Sequence, residues 1–163
     1  MPHDTAIRGA LSGETEKPPL GLVKQIRFKA TFRWVRRVIH ESMEALEPYG
    51  LTAEEMGTIE IVLAEALNNV VEHAYREDEA GEVALSLRLR NSGLMVEVRD
   101  QGRPMPQGRA PLGDHPMSEE DEPMPEGGYG WYLIRELVRD LIYDRRDGEN
   151  ILIFRLSIGA PHT

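Results

Sequence analysis

Between Thr31 and Ala74 the sequence carries two stretches of helical period in succession, with no alternating run between them. In the first, Phe32, Val35, Val38, Ile39, Met43 and Leu46 recur every three or four residues behind Thr31, which suits an N-cap, up to a break at Pro48 and Gly50. In the second, Thr52 and Glu55 have the spacing of a capping box, and Ile59, Leu63, Leu67, Val70 and Ala74 extend the stripe that they open. Two adjoining helices break the strict strand–helix–strand alternation of a doubly wound parallel fold. Some other way of covering a sheet is required.

The rest of the chain supplies that sheet. Lys24 to Ala30 alternates, with Ile26 and Phe28 separated by polar residues, and predicts a strand ahead of the first helix. Val83 to Leu89 and Leu94 to Val98 alternate on either side of Asn91, Ser92 and Gly93, which predicts an antiparallel hairpin. Helical period returns from Tyr129 to Leu141, with Leu133, Ile134, Leu137 and Leu141 on one side. Leu141 to Asp144 and Ile151 to Ile158 read as two further strands around a turn at Arg146 to Asn150. The expected fold class is α/β, more closely an α+β two-layer sandwich with a mixed, mostly antiparallel sheet and helices on one face.

With 163 residues there is room for one domain with a real core. It is expected over residues 21–160, with residues 1–20, rich in Gly, Pro and charge, as a flexible tail. Residues 103–126 are crowded with Pro, Gly, Met and acid and have no period, which suits a functional lid. The composition, 40% hydrophobic and 29% charged, is that of a soluble globular chain. There is no bilayer-length apolar run and no secretory pattern in Met1 to Lys17, so a cytoplasmic location without membrane association is expected. The absence of cysteine removes disulfides and thiolate metal sites. A net charge of −9 argues against direct binding to nucleic acid. Arg33, Arg36 and Arg37 form a local basic cluster whose ordinary reading is a solvated helix face.

Three elements carry chemistry. Glu65 and Asn69 stand four residues apart, on one stripe of the second helix beside Leu63, Leu67 and Val70. A carboxamide oxygen suits a hard divalent cation already bound to phosphate, and a carboxylate can take a proton. Alone, such a pair is an ordinary polar flank. Asp100-Gln101-Gly102-Arg103-Pro104 follows a strand; an Asp there can accept from an exocyclic amine, and a Gly permits close approach, although Asp-x-Gly is also a common turn. Glu126-Gly127-Gly128-Tyr129-Gly130-Trp131 precedes a helix whose N-terminus can receive phosphate. It matches neither the P-loop nor the Rossmann glycine pattern. No histidines stand at metal-ligand spacing, and Trp131 and Tyr132 read as core residues.

In this order the three elements resemble the N, G1 and G2 boxes of the GHKL ATPases: Glu-Ala-Leu-Asn-Asn-Val-Val-Glu-His-Ala-Tyr at 65–75, Asp-x-Gly-x-Pro at 100–104 and Gly-Gly-Tyr-Gly-Trp-Tyr-Leu-Ile at 127–134. Within that superfamily the chain looks most like the anti-sigma-factor serine/threonine kinases of bacterial partner switching, over roughly Lys24 to Ile158. The resemblance implies a Bergerat-type ATP-binding fold, with ATP and Mg²⁺ as cofactors. It implies that Asn69 holds Mg²⁺ and that Glu65 is the general base toward a substrate hydroxyl. Asp100 would bind the adenine amine, Gly102 would make room for the ring, and Gly127, Gly128, Tyr129 and Gly130 would border the nucleotide. The implied partners are a STAS-domain anti-anti-sigma protein, which accepts the phosphate, and a sigma factor, with a homodimer as the assembly. The alternative is a non-catalytic, nucleotide-dependent binding module. Two positions depart from the family pattern. Asp121, Glu122 and Glu126 stand where a basic residue often precedes the glycines, leaving Arg103 or Arg109 as substitutes, and Asn150 stands near a position where the family often has Thr.

Overall fold

Thr31 is the first hinge of the chain. Its Oγ1 accepts a hydrogen bond from Trp34 N at 3.1 Å, capping one of the free amides at the start of a helix. The cap separates strand β1, Gly21–Lys29, from helix α1, Phe32–Leu46. A 3-10 turn through Pro48 ends at Gly50, whose φ of 69° only glycine adopts at no cost. Thr52 and Glu55 then form the complete capping box, with reciprocal bonds of 3.1 and 3.2 Å, and open helix α2, Ala53–Asn69. The computed structural model describes residues 16–76, 81–113 and 128–158.

The stripe expected to run as one α-helix to Ala74 changes character at Val70. Residues Val70–Ala74 form a π turn, closed by Tyr75 N donating to Val70 O at 3.2 Å. Beyond it lie β2, Glu82–Arg90, β3, Gly93–Asp100, helix α3, Gly128–Leu137, β4, Arg139–Arg146, and β5, Glu149–Leu156. The sheet order is β1-β2-β3-β5-β4.

Every pairing in it is antiparallel, so the mixed component of the expected sheet is absent from the described residues. The reason is the doubled helix. Each helix reverses the chain, so two of them between β1 and β2 return it antiparallel, where a single crossover helix gives a parallel pair.

The hairpin turns are tighter than the sequence suggests. Arg90 pairs with Gly93, leaving Asn91 and Ser92 as a two-residue turn. Arg146 pairs with Glu149, leaving Asp147 and Gly148 with φ of 50° and 77°, the positive-φ pattern of a type I′ turn. The turn expected over Arg146 to Asn150 is thus reduced to its middle, and Asn150 is a ladder residue. Helix α3 stops four residues before the expected Leu141. Asp140, at φ 55°, lies in a register shift between Arg139 and Ile142, and from this bulge Leu141 still packs on the core.

Alternate residues of the strands face the helices: Leu85, Leu87, Val96, Val98, Phe154 and Leu156 are all buried. Val35, Val38 and Leu46 of α1, Ile59, Val62, Leu63, Ala66 and Leu67 of α2 and Ile134 of α3 cover them. The opposite face carries Arg27, Arg88, Glu97 and Arg155. Helices on one face and polar side chains on the other make the two-layer sandwich. Phe32, expected in the apolar stripe of α1, sits at its first residue and is 37% exposed. No described helix is long and apolar enough to cross a membrane.

Candidate functional site

The stripe of α2 that carries Glu65 and Asn69 meets the first turn of α3. Glu65, Asn69, Glu72, His73, Gly130 and Trp131 are among the residues around a cleft of about 430 Å³. Gly130 is a spatial requirement of this junction. A Cβ there would lie 2.4 Å from Glu65 Oε2, so the missing side chain gives the carboxylate its place against α3. Burial raises the Glu65 carboxyl above its ordinary value, and the Glu72 carboxylate pushes in the same direction. Such a group is a stronger base than an exposed glutamate.

Asn69 is fixed from the other side. Trp131 Nε1 donates to Asn69 Oδ1 at 3.2 Å. Trp131 is 5% exposed, so the core position expected of it is observed, and it also orients a site residue. Tyr129 is 44% exposed at the rim of the cleft and stacks on Tyr132 with ring centroids 6.3 Å apart. Gly128 is the first residue of α3; Gly127 lies outside the described residues.

Asp100 stands elsewhere. It borders a second hollow of about 380 Å³ with Tyr75, Arg99, Gln101 and Glu149, and is not part of the Glu65–Asn69 cleft. The register places it in one cross-strand row with Phe28, Val83 and Asn150, on the buried face of the sheet. Its Oδ1 accepts from Gly102 N at 2.9 Å and from Asn150 Nδ2 at 2.8 Å. Burial raises its pKa, the bonds from Asn150 and Gly102 and the nearby charge of Arg145 oppose the rise, and Glu149 adds to it.

Gly102 does something the sequence reading did not assign to it. A Cβ there would come within 2.4 Å of Ala74 O and 2.6 Å of Ala74 C, so the bare α-carbon packs on the π turn that ends α2. Arg103 N donates to the same carbonyl at 2.8 Å. Tyr75 ties the two ends further: its hydroxyl donates to Glu82 O and accepts from Gln101 N, both at 2.7 Å.

The described part of the expected lid, residues 103–113, is largely exposed and is anchored around Ala110 and Gly113. Ala110 is 5% exposed, Arg135 donates to Ala110 O and Pro111 O at 2.7 Å each, and the α-carbon of Gly113 abuts Tyr132 N. Arg109 is exposed and donates to Gln107 Oε1 at 2.8 Å. The remaining lid residues, with Asp121, Glu122 and Glu126, lie outside the described residues, as do residues 1–15 of the expected tail. Arg135, Tyr143, Arg145 and the role of the Tyr75 hydroxyl escaped the sequence reading, because each works through contacts between residues distant in the chain.

The family model described as histidine kinase-like ATPase domain matches residues 28–156. The serine-protein kinase RsbW of Bacillus subtilis (strain 168) is 32% identical over 112 residues, covering 68% of this chain and 70% of the relative. The protein of the same name from Bacillus cereus (strain AH820) is 32% identical over 106 residues, 64% of this chain and 66% of its own length, just under two thirds of that relative. Among solved structures, the RsbU and RsbW domains of Rv1364c from Mycobacterium tuberculosis match with a TM-score of 0.54 at 17% identity, over 83% of this chain and 32% of that one. At that identity the likeness is one of fold.

Proposed function

This chain belongs to the histidine kinase-like ATPase domain family, and from that membership we propose that it is an ATP-dependent serine/threonine protein kinase of the anti-sigma-factor type. The observation that carries the proposal is the junction of α2 and α3, where a half-buried carboxylate, a carboxamide and a bare glycine share one cleft. The names of the Bacillus relatives point the same way.

The residues fit the groups the family implies. A carboxamide oxygen is a suitable donor for a Mg²⁺ ion that brings phosphate and water oxygens with it. Asn69 Oδ1 accepts one bond from Trp131 and has a second lone pair to offer. Gly128, Tyr129 and Gly130 begin a ten-residue helix, whose free amides and positive end favour phosphate. Asp100 has an oxygen, Oδ2, that takes no hydrogen bond among the described residues and is suited to the adenine amine.

Asn69 would hold Mg²⁺, which would offset charge on the phosphoryl group as it passes from ATP to the acceptor with ADP leaving. Glu65 takes the proton of the acceptor hydroxyl as that oxygen becomes the nucleophile, and Glu72 keeps Glu65 basic. Trp131 holds Asn69 in one rotamer, so the carboxamide needs no reorganisation when the site fills. The acceptor is a Ser or Thr of a STAS-domain anti-anti-sigma protein, and the second partner is a sigma factor held by a homodimer of this chain.

The test is incubation of the full chain with γ-labelled ATP, Mg²⁺ and a STAS-domain protein encoded beside it. Label on a Ser or Thr of that protein is the expected result. Capture of a sigma factor with no label transferred would instead assign the chain as a nucleotide-dependent binding module.

A further inference from the structure

Two consecutive residues in the first turn of α3 meet both site residues of α2. Gly130 leaves the space in which Glu65 Oε2 sits, and Trp131 Nε1 donates to Asn69 Oδ1 at 3.2 Å. A buried indole needs an acceptor for its N–H. Trp131, 5% exposed, finds it in the oxygen of Asn69 rather than in a backbone carbonyl.

The two ends of a carboxamide have nearly the same shape and opposite chemistry. The oxygen can ligate a hard cation, and the NH₂ group can only donate. What faces them decides which end is presented. The indole N–H is also only a donor, so a carboxamide turned over would set two donors against each other. Among the described residues no other hydrogen bond holds the Asn69 side chain, and its Nδ2 has no acceptor. The direction of this oxygen therefore depends on one bond. That bond also crosses between two elements. The oxygen is carried by the last residue of α2, and the indole by the first turn of α3, where the free amides open to phosphate begin at Gly128.

We propose that Trp131 is a positioning residue for metal-dependent nucleotide binding: its indole N–H keeps the oxygen end of Asn69 turned to the first turn of α3, so that cation and phosphate are bound together. This rests on the reading of Asn69 as the Mg²⁺ residue. Groups that orient a ligating side chain are a general determinant of metal affinity. A side chain that must be ordered on binding costs a factor of about three to ten in affinity, and the indole has ordered this one beforehand. By linkage, the factor that Mg²⁺ adds to nucleotide affinity is the factor that nucleotide adds to Mg²⁺ affinity.

The test measures ADP affinity of the full chain by calorimetry, in Mg²⁺ and in EDTA, so that the ratio of the two gives what the cation adds. Trp131→Phe keeps a ring in the core and removes the N–H. The expected result is an unchanged affinity in EDTA and a Mg²⁺ gain about three- to tenfold smaller than in wild type. A second readout leaves Trp131 in place. The chain has two tryptophans, and in Trp34→Phe, at a position 37% exposed on α1, all indole emission comes from Trp131. That emission should change when Mg²⁺ is added to the ADP complex. An unchanged Mg²⁺ gain in Trp131→Phe, an equal loss with and without Mg²⁺, or emission blind to the cation each overturns this inference and leaves the nucleotide site standing. Wild type that binds ADP equally well in Mg²⁺ and in EDTA removes Asn69 from the metal role, and this inference with it. Wild type that binds no ADP overturns the nucleotide site itself.

Discussion

Replacing Gly102 by alanine separates two accounts of the same residue. If Gly102 is bare to admit a flat base, a methyl group there costs affinity and leaves the folded protein alone. The structure assigns the cost to folding instead. The added Cβ would lie 2.4 Å from Ala74 O, 2.6 Å from Ala74 C and 2.7 Å from Ala74 Cβ. The first two are backbone atoms, and the π turn anchors them through Tyr75 N to Val70 O. They cannot swing aside as a side chain would. Overpacking of this kind costs about 1–3 kcal/mol. Separating the loop from α2 also removes the Arg103 N to Ala74 O bond of 2.8 Å, worth about 1 kcal/mol. The sum, about 2–4 kcal/mol, corresponds to a fall in Tm of about 5–15 °C in a chain of this size. Thermal and urea unfolding without nucleotide measures it. A variant as stable as wild type that has lost its nucleotide affinity would refute the packing argument and return Gly102 to the base.

Four further expectations can be checked on the same footing. Gly57→Ala, inside α2 with nothing within 4 Å of the new Cβ, should stabilise the chain by about 0.5–1 kcal/mol in urea unfolding. Thr52→Ala removes the side-chain half of the capping box and should cost about 1 kcal/mol by the same measurement. Asp100→Asn keeps an oxygen for Gly102 N and Asn150 Nδ2 while removing a buried charge. Because burial raises the folded pKa of Asp100, the folded state holds its proton more tightly. Wild type should therefore lose stability relative to Asp100→Asn as pH rises from the unfolded value through the folded one, with a constant difference above; a flat difference across acid pH would contradict the burial argument. Glu65→Gln should slow phosphotransfer by about 10²-fold or more at unchanged ATP affinity. The wild-type rate should fall as pH drops through the raised Glu65 value, and the same limb should be missing from the variant's profile.

How far the sequence was legible depends on the range of each interaction. Thr31 and Thr52 cap residues three positions away, so both helix starts could be read directly, and both caps are present. The Glu65–Asn69 pairing needs only the helical period. The Asp100 site needs register. Reading a turn from Arg146 to Asn150 puts Asn150 outside the ladder, whereas a two-residue turn at Asp147 and Gly148 places it between Asp100 and Arg145. A slip of one residue sends every side chain of a strand to the opposite face, so the network around Asn150 is invisible until the turn is fixed. Leu141 misled for a related reason. Its spacing from Leu137 fits a helix, and a bulge at Asp140 delivers the same burial from a strand.

The π turn at Val70 explains why neither the packing of Gly102 on Ala74 nor the bonds of Tyr75 could be read from the sequence. Up to Asn69 each residue advances the helix by about 100°, so the direction of the stripe from Ile59 to Val70 can be projected onward. A single extra residue in the turn, marked by Tyr75 N bonding to Val70 O, rotates the next residues by about that same angle. Tyr75 thereby takes the place that Ala74 would have held on the stripe, packs against the core and carries its hydroxyl to Glu82 O and Gln101 N. Ala74 O is freed from the helical ladder and accepts from Arg103 N. The end of α2 thus acts as a bracket for the loop after Asp100. No local pattern announces it, because the residues it joins, Ala74 with Arg103 and Tyr75 with Gln101, are brought together only after β2 and β3 have paired.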